Sequence, residues 1–151
     1  MDTEVTSHFA SFAELDASML YHLLKLRTDV FVVEQADPYP ELDGRDTEPE
    51  TLHVWLTRAD ELVAYARLLD EPDGSLRIGR VLVIEHARGG GLAGELMTAV
   101  LRHVGNRRCV LDAQAYLTDF YARYGFTPTG PVYIDGTIPH VPMSRPEPIE
   151  L

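Results

Sequence analysis

The stretch Arg80-Val-Leu-Val-Ile84, Glu85-His-Ala-Arg88, Gly89-Gly-Gly-Leu-Ala-Gly94, Glu95-Leu-Met-Thr-Ala-Val-Leu-Arg-His-Val104 reads as strand, short loop, glycine turn and helix. Three consecutive glycines admit backbone conformations barred to residues with a Cβ, so several N–H groups can converge on one small space. A helix that starts there adds its unpaired N–H groups and the positive end of its dipole. Together they describe a site for a pyrophosphate. The rest of the chain can be read outward from this unit.

Downstream, Leu92, Leu96, Val100 and Val104 recur at helical spacing and give the helix an apolar stripe, which Gly105-Asn106 ends. Cys109-Val-Leu111 follows at the distance of a parallel strand reached through a crossover helix, so Ser75 to Asp112 forms one β-α-β unit. A short helix is expected over Leu117 to Tyr124, with Gly125 as its left-handed cap and Phe126 packing back. Val132-Tyr-Ile134, Asp135-Gly136 and Thr137-Ile138 signal a hairpin, with Asp-Gly suited to a type I′ turn. Upstream, Glu4 to Phe12 alternates weakly as a first strand, and Asp16 to Phe31 is helical, capped by Asp16 or Ser18. Gln35 to Glu50, with Pro38, Pro40, Gly44 and Pro49 among acidic residues, reads as a long surface loop of the kind that is often functional. Thr51 to Thr57 and Leu62 to Leu69 form an antiparallel hairpin, and Glu71-Pro-Asp-Gly74 turns into the strand Ser75 to Ile84.

The 151 residues match one domain, 1–151, of α/β class, and no linker or repeat divides them. No apolar run approaches a bilayer span, and Met1 to Ala10 lacks the basic start and apolar block of a signal peptide, so a cytoplasmic location is expected. The single Cys109 lies in an apolar run and reads as a buried structural thiol. A net charge of −11 argues against nucleic acid or an anionic membrane as partner and suits a cationic substrate. Between Glu34 and Glu50 seven carboxylates face only Arg45, whereas seven arginines lie between Arg67 and Arg108. One half is therefore expected to attract cations and the other anions.

Gly89, Gly91 and Gly94 satisfy the dinucleotide fingerprint, with Asp112 beyond them at the end of a strand. In a dinucleotide fold, however, the first glycine leaves the strand directly, and here Glu85-His-Ala-Arg88 intervenes. The 57 residues after Gly94 are also too few for the remaining parallel strands. A nucleotide-hydrolysing P-loop fails because no Gly-Lys-Ser/Thr follows. Arg88-Gly-Gly-Gly91-Leu-Ala93 and Tyr121-Ala-Arg-Tyr-Gly125-Phe126 instead resemble the two signatures of the GNAT acetyltransferase superfamily. Arg27-Thr-Asp-Val-Phe-Val-Val-Glu-Gln35, Pro38-Tyr39, Asp43-Gly44, Tyr65-Ala-Arg67, Ala113-Gln114-Ala115 and Ile138-Pro-His140 extend the resemblance to the ElaA-like branch.

The resemblance implies a mixed sheet of about seven strands with about four helices, splayed between its fourth and fifth strands, with acetyl-CoA in the gap and no metal. The pyrophosphate would rest on amides of Gly89, Gly90, Gly91, Leu92, Ala93 and Gly94, with Arg88 as a phosphate contact. Val81, Leu82 and Val83 would meet the pantetheine arm in the manner of an added strand, and Gln114 would replace the Asn of many relatives. The function implied is acetyl transfer to a primary amine of a small molecule or peptide. An acyl-CoA-binding sensor without turnover is the alternative, and a dinucleotide oxidoreductase a distant third.

Such chemistry needs a neutral amine, a donor to the developing oxyanion and a proton for the departing thiolate. Tyr121 suits the last role, because a phenol near pKa ~10 can serve a thiol near ~8.5. A strand amide around Val83 would meet the oxyanion. Glu34, His53 and His140 are candidates for the base or for substrate contacts: Glu34 precedes the acidic loop, and the histidines interrupt apolar strands. Relatives that acetylate protein N-termini often carry a Glu early on the fifth strand, where Cys109 stands, so a water-relayed or substrate-only deprotonation is also open. A single lysine, Lys25, makes extensive self-acetylation an unsuitable purpose. A homodimer is the base-rate expectation for assembly.

Overall fold

The structure is a computed structural model and describes residues 4–146. The ends of the expected domain, including the start of the Met1 to Ala10 segment, lie outside the described residues. One sheet organises the rest: β1 (Val5–Ser11), β2 (Leu52–Arg58), β3 (Glu61–Asp70), β4 (Leu76–Val83), β5 (Cys109–Gln114), β6 (Thr127–Pro128), β7 (Tyr133–Asp135) and β8 (Ile138–Arg145). The helices are α1 (Ala17–Thr28), α2 (Leu92–Val104) and α3 (Thr118–Ala122). The strand order is β1-β2-β3-β4-β5-β8-β6, with β7 also on β8. Among the described residues only β4 and β5 run parallel, joined through α2, so the sheet is not the doubly wound parallel array of a dinucleotide domain. The eighth strand, beyond the expected seven, is the two-residue β6, too short to carry a periodic signal.

Alternation along the central strands supplies two apolar layers. Val54, Leu56, Ala64, Ala66, Leu68 and Ile78 point to the layer covered by Leu96, Met97 and Val100 of α2. Trp55, Tyr65 and Leu82 point the other way, toward Leu23, Val30 and Phe31. Ile78 and Leu82 should share a face by period two, and they do not. The cause is a bulge, because Gly79 pairs with Arg67 and Leu82 with Tyr65, so Arg80 and Val81 together oppose Ala66. Arg80 takes φ 55 to make it, a strained value for a residue with a Cβ.

Several local expectations shift. Asp16 does cap α1, accepting from Met19 N–H at 2.7 Å, but α1 stops at Thr28 and a π-helical turn, Asp29–Glu34, follows it. π-Helical turns are rare and concentrate at functional sites. The β7–β8 turn is not Asp135-Gly136 in type I′ form: Asp135 pairs with Ile138, so Gly136-Thr137 is the loop, and only Gly136 has positive φ. That is the pattern of a II′ turn, which wants Gly first. Gly125, at φ 91, ends the helix that includes Tyr121, and Phe126 N–H reaches back to the Tyr121 carbonyl at 3.3 Å. Cys109 is buried, and that burial pushes its thiol up to about 11, as an unreactive core residue requires. No helix among the described residues is long and apolar enough to cross a membrane.

Candidate active site

Parallel pairing of β4 with β5 lasts only from Leu76 and Arg77 to Cys109 and Val110. Beyond the bulge at Arg80 the strands part, and a cleft of about 320 Å³ opens between them. Val81 and Leu82 form one bank, Leu111 and Gln114 the other, and Phe31 and Glu34 from the π-helical turn close one end. The size lies at the low end of small-ligand sites. Backbone left unpaired where two strands part is the surface that an extended ligand can use as a strand would.

Tyr121 enters this cleft from α3 with its ring nearly buried, 5% exposed, against Phe120 and Phe126. Burial above all, and then the neighbouring Tyr116, pushes its phenol up from the ordinary value, so it keeps its proton at neutral pH. Its hydroxyl has no hydrogen-bond partner among the described residues, which leaves that proton free for a ligand. His140, at the start of β8, also lines the cleft. Its Nδ1 lies 2.8 Å from the Ile138 carbonyl, which can only accept. In the neutral ring Nδ1 therefore carries the hydrogen and Nε2 the lone pair. The ring stacks on Tyr133 with centroids 5.9 Å apart, which fixes its plane.

The glycine turn behaves as a nest. Gly89 and Gly91 take φ 83 and 86, and their missing Cβ atoms would face open space, so conformation and not crowding requires glycine. The first backbone bond of α2 is Glu95 N–H to the Gly91 carbonyl at 3.2 Å, which leaves the preceding helical amides without intrahelical partners. Gly94 is different, since a Cβ there would lie 2.9 Å from the Tyr124 hydroxyl. It lets α2 approach Tyr124. Unpaired amides, an open turn and two parted strands fit the pyrophosphate and extended arm of an acyl-CoA. Arg88 does not reach over this nest: its Nη1 and Nη2 donate to both Glu34 oxygens at 2.7 and 3.0 Å, and its Nε donates to the Val83 carbonyl at 2.8 Å.

Residues 14–146 match the family model described as an acetyltransferase (GNAT) domain. The chain belongs to the GNAT family. A UPF0039 protein of Mycobacterium tuberculosis is 53% identical over 88% of both chains. The crystal structure of Escherichia coli ElaA superposes with a TM-score of 0.88 at 40% identity, covering 94% of this chain and 99% of that one. An acyl-CoA N-acyltransferase from Pseudomonas aeruginosa gives 0.89 at 41% identity over the same shares. The splayed mixed sheet is thus the GNAT fold, and family membership supports acyl transfer.

In this GNAT chain the cleft gathers Tyr121, His140, Glu34, Arg88, Gln114, Val81 and Leu82. It does not gather His53, which is 1% exposed and lies under the acidic loop. His53 Nε2 lies 3.1 Å from the Asp46 carbonyl, an acceptor, so Nε2 donates, and Nδ1 accepts from the Tyr65 hydroxyl at 2.6 Å. With both nitrogens engaged, and with burial foremost among the causes that hold its pKa below the ordinary value, His53 is a neutral structural residue. Its expected role as a base has no access to substrate.

The acidic loop is not an open cation trap either. Fully buried Arg27 donates to Glu41 at 2.8 Å and Asp46 at 2.6 Å. Arg67 makes a bidentate pair with Asp43 and reaches Asp46 at 3.0 Å. Arg80 Nε lies 2.7 Å from Glu41, an ion pair too bent for a hydrogen bond, and its Nη2 donates to the Glu41 carbonyl at 2.9 Å. Arg67 and Arg80 of the arginine-rich half, joined by Arg27, thus pair with Glu41, Asp43 and Asp46 of the acidic half. The available signal was Arg27 among the leucines of α1 and Arg67 inside an apolar strand, since a charge at a core position demands a partner.

Proposed function

We propose that this protein is an acetyl-CoA-dependent N-acetyltransferase that acts on a primary amine. The observation that carries the reading is the unpartnered Tyr121 hydroxyl in the cleft where β4 and β5 part, with His140 lining the same cleft. An amine arrives as an ammonium ion and must shed a proton before its lone pair can attack. The His140 Nε2 lone pair accepts that proton, while Nδ1–H stays on the Ile138 carbonyl. The nitrogen then bonds to the acetyl carbon as the carbon–sulfur bond breaks. Tyr121 gives its proton to the departing sulfur. Two protons leave the nitrogen in all: one replaces that of Tyr121, and the other passes through His140 to solvent. Amides at the start of α2 hold the pyrophosphate, and a strand amide around Val83 faces the carbonyl oxygen as charge grows on it.

Two measurements test this. Purified protein is incubated with acetyl-CoA and a panel of polyamines, amino acids, aminoglycosides and peptides, and both free CoA thiol and acetylated product are followed. Tyr121→Phe is expected to lower kcat by about 100-fold or more, the usual scale for loss of a general acid, while calorimetric CoA affinity is retained. Unchanged turnover in that variant removes Tyr121 from the mechanism. Tight CoA binding with no product from any amine favours the non-catalytic sensor instead.

A further inference from the structure

The end of the π-helical turn and the segment after it make three contacts with elements far away in sequence. Glu34 holds Arg88, just before the glycine turn. Gln35 Oε1 accepts from Gln114 Nε2, at the end of β5, at 3.3 Å. Asp37 Oδ1 accepts from both the backbone N–H and the hydroxyl of Thr137, in the β7–β8 turn, each at 3.1 Å. The contacts step away from the glycine turn and cross from one bank of the cleft to the other.

The last of these is built to be close. Asp37 is 5% exposed although it lies in a proline-rich surface loop. A Cβ on Gly136 would stand 2.5 Å from Asp37 Oδ1, so only glycine lets the hairpin tip seat there. Ala36, at φ 50, turns the chain so that Gln35 and Asp37 can both reach across. Gln35, Asp37, Gln114, Asp135, Ile138 and His140 all line the cleft, so the ties bridge it past the C-terminal end of β5.

Resting on the acetyltransferase reading, we infer that the strap Gln35–Asp37 sets the acceptor class, admitting small free amines and excluding amines carried on a polypeptide. A polypeptide acceptor needs an open groove, because chain continues away from the reacting nitrogen on at least one side. Here the ties bridge the cleft beside His140, and its volume of about 320 Å³ must also hold the end of the donor arm. What remains suits a compact molecule that enters whole. Phe31 and Leu82 supply apolar wall, and His140 and Tyr121 the polar groups, so the occupant is a primary amine on a short aliphatic or aromatic body.

The test compares kcat/KM for acetyl transfer to spermidine, phenethylamine and glycinamide with that for a ten-residue peptide and for folded lysozyme. Wild type is expected to favour its best small amine over either polypeptide by about 100-fold or more. Asp37→Ala removes the clasp and should reduce that preference at least about 10-fold, Thr137→Ala should do so partially, and Asp37→Asn, which keeps an acceptor oxygen, should restore it. Thermal melts guard against unfolding, and Thr137→Ala carries the test should Asp37→Ala fail to fold. The strap is overturned by wild type that acetylates peptide or lysozyme as readily as the small amines. It is overturned equally by a preference that Asp37→Ala and Thr137→Ala leave intact. Absence of thiol release with every amine, while CoA still binds, overturns the acetyltransferase reading and the strap together, a result distinct from the other two.

Discussion

Within thirteen residues, Glu34 to Asp46, this chain uses arginine–carboxylate pairs in two ways. Arg27 with Glu41 is sealed, with side-chain exposures of 0% and 4%, whereas Arg88 with Glu34 stands open at 42% and 32%. The sealed cluster pairs its charges with one another and with the hydroxyls of Tyr65 and Tyr39, and with His53 on the Asp46 carbonyl it pins the acidic loop over the face of β3 and β4. The open pair lies on the cleft, where a ligand phosphate can compete for the arginine. The same residue types make fixed scaffold where water is excluded and an exchangeable pair where it is not, because desolvation decides whether a pair can be given up.

The largest expected effect breaks the sealed side. Arg27→Met removes one partner and leaves Glu41 and Asp46 with reduced compensation. That should lower unfolding free energy by about 3–5 kcal/mol, the scale for halving a buried pair. In a chain of this size the melting temperature should drop by about 10 °C or more, read by calorimetry or urea titration. A change below about 1 kcal/mol would place Arg27 in the same class as an exposed pair.

Acid should probe the same cluster more gently. Burial alone would raise Asp43 and Asp46, but hydrogen bonds and charge from Arg67 on the first and Arg27 on the second outweigh it and hold both below the usual carboxylate range. Their contribution is complete above about pH 4 and is lost as pH falls through the depressed folded values. His53 acts earlier. Its pKa is lowered in the fold, so below about pH 6.5 the unfolded chain takes up a proton that the folded chain refuses. Stability should therefore begin to fall below pH 6.5, by no more than about 1.4 kcal/mol per pH unit for this one group. Urea midpoints at pH 7.5, 6 and 5 follow it, and His53→Gln should flatten the slope between pH 6.5 and 5. An unchanged slope in that variant transfers the effect to another histidine.

What could be read from sequence was what short range determines. The glycine turn, the apolar stripe of α2, the Asp16 cap and the Tyr121-to-Phe126 signature each lie within a few turns of chain, and the splayed sheet was implied by the family resemblance that two of them carry. The bulge at Arg80 was hidden because an arginine occupies a φ that usually announces itself by glycine. The charge cluster was hidden because its partners lie 14 to 39 residues apart, so its carboxylates looked like a run that attracts cations. Gly94 shows the opposite error. It sits in the donor motif by spacing, yet Tyr124 is what excludes its side chain.

The smallest expected effect belongs to the open pair, and it separates two uses of Arg88. As a phosphate contact, Arg88 must leave Glu34 and the Val83 carbonyl, both of which hold its guanidinium now. Glu34 then competes with the donor. Glu34→Gln should leave stability within about 1 kcal/mol of wild type, since exposed pairs contribute little, but should tighten CoA binding by about two- to five-fold. The gain should disappear in Arg88→Met, which binds CoA more weakly with or without the second change. A fixed structural Arg88 gives the reverse pattern: Glu34→Gln leaves the CoA dissociation constant where it was, and Arg88→Met loses no affinity. Calorimetry at two salt concentrations sharpens the result, because an arginine exchanged onto a pyrophosphate makes CoA affinity more salt-sensitive, whereas an arginine kept on Glu34 does not.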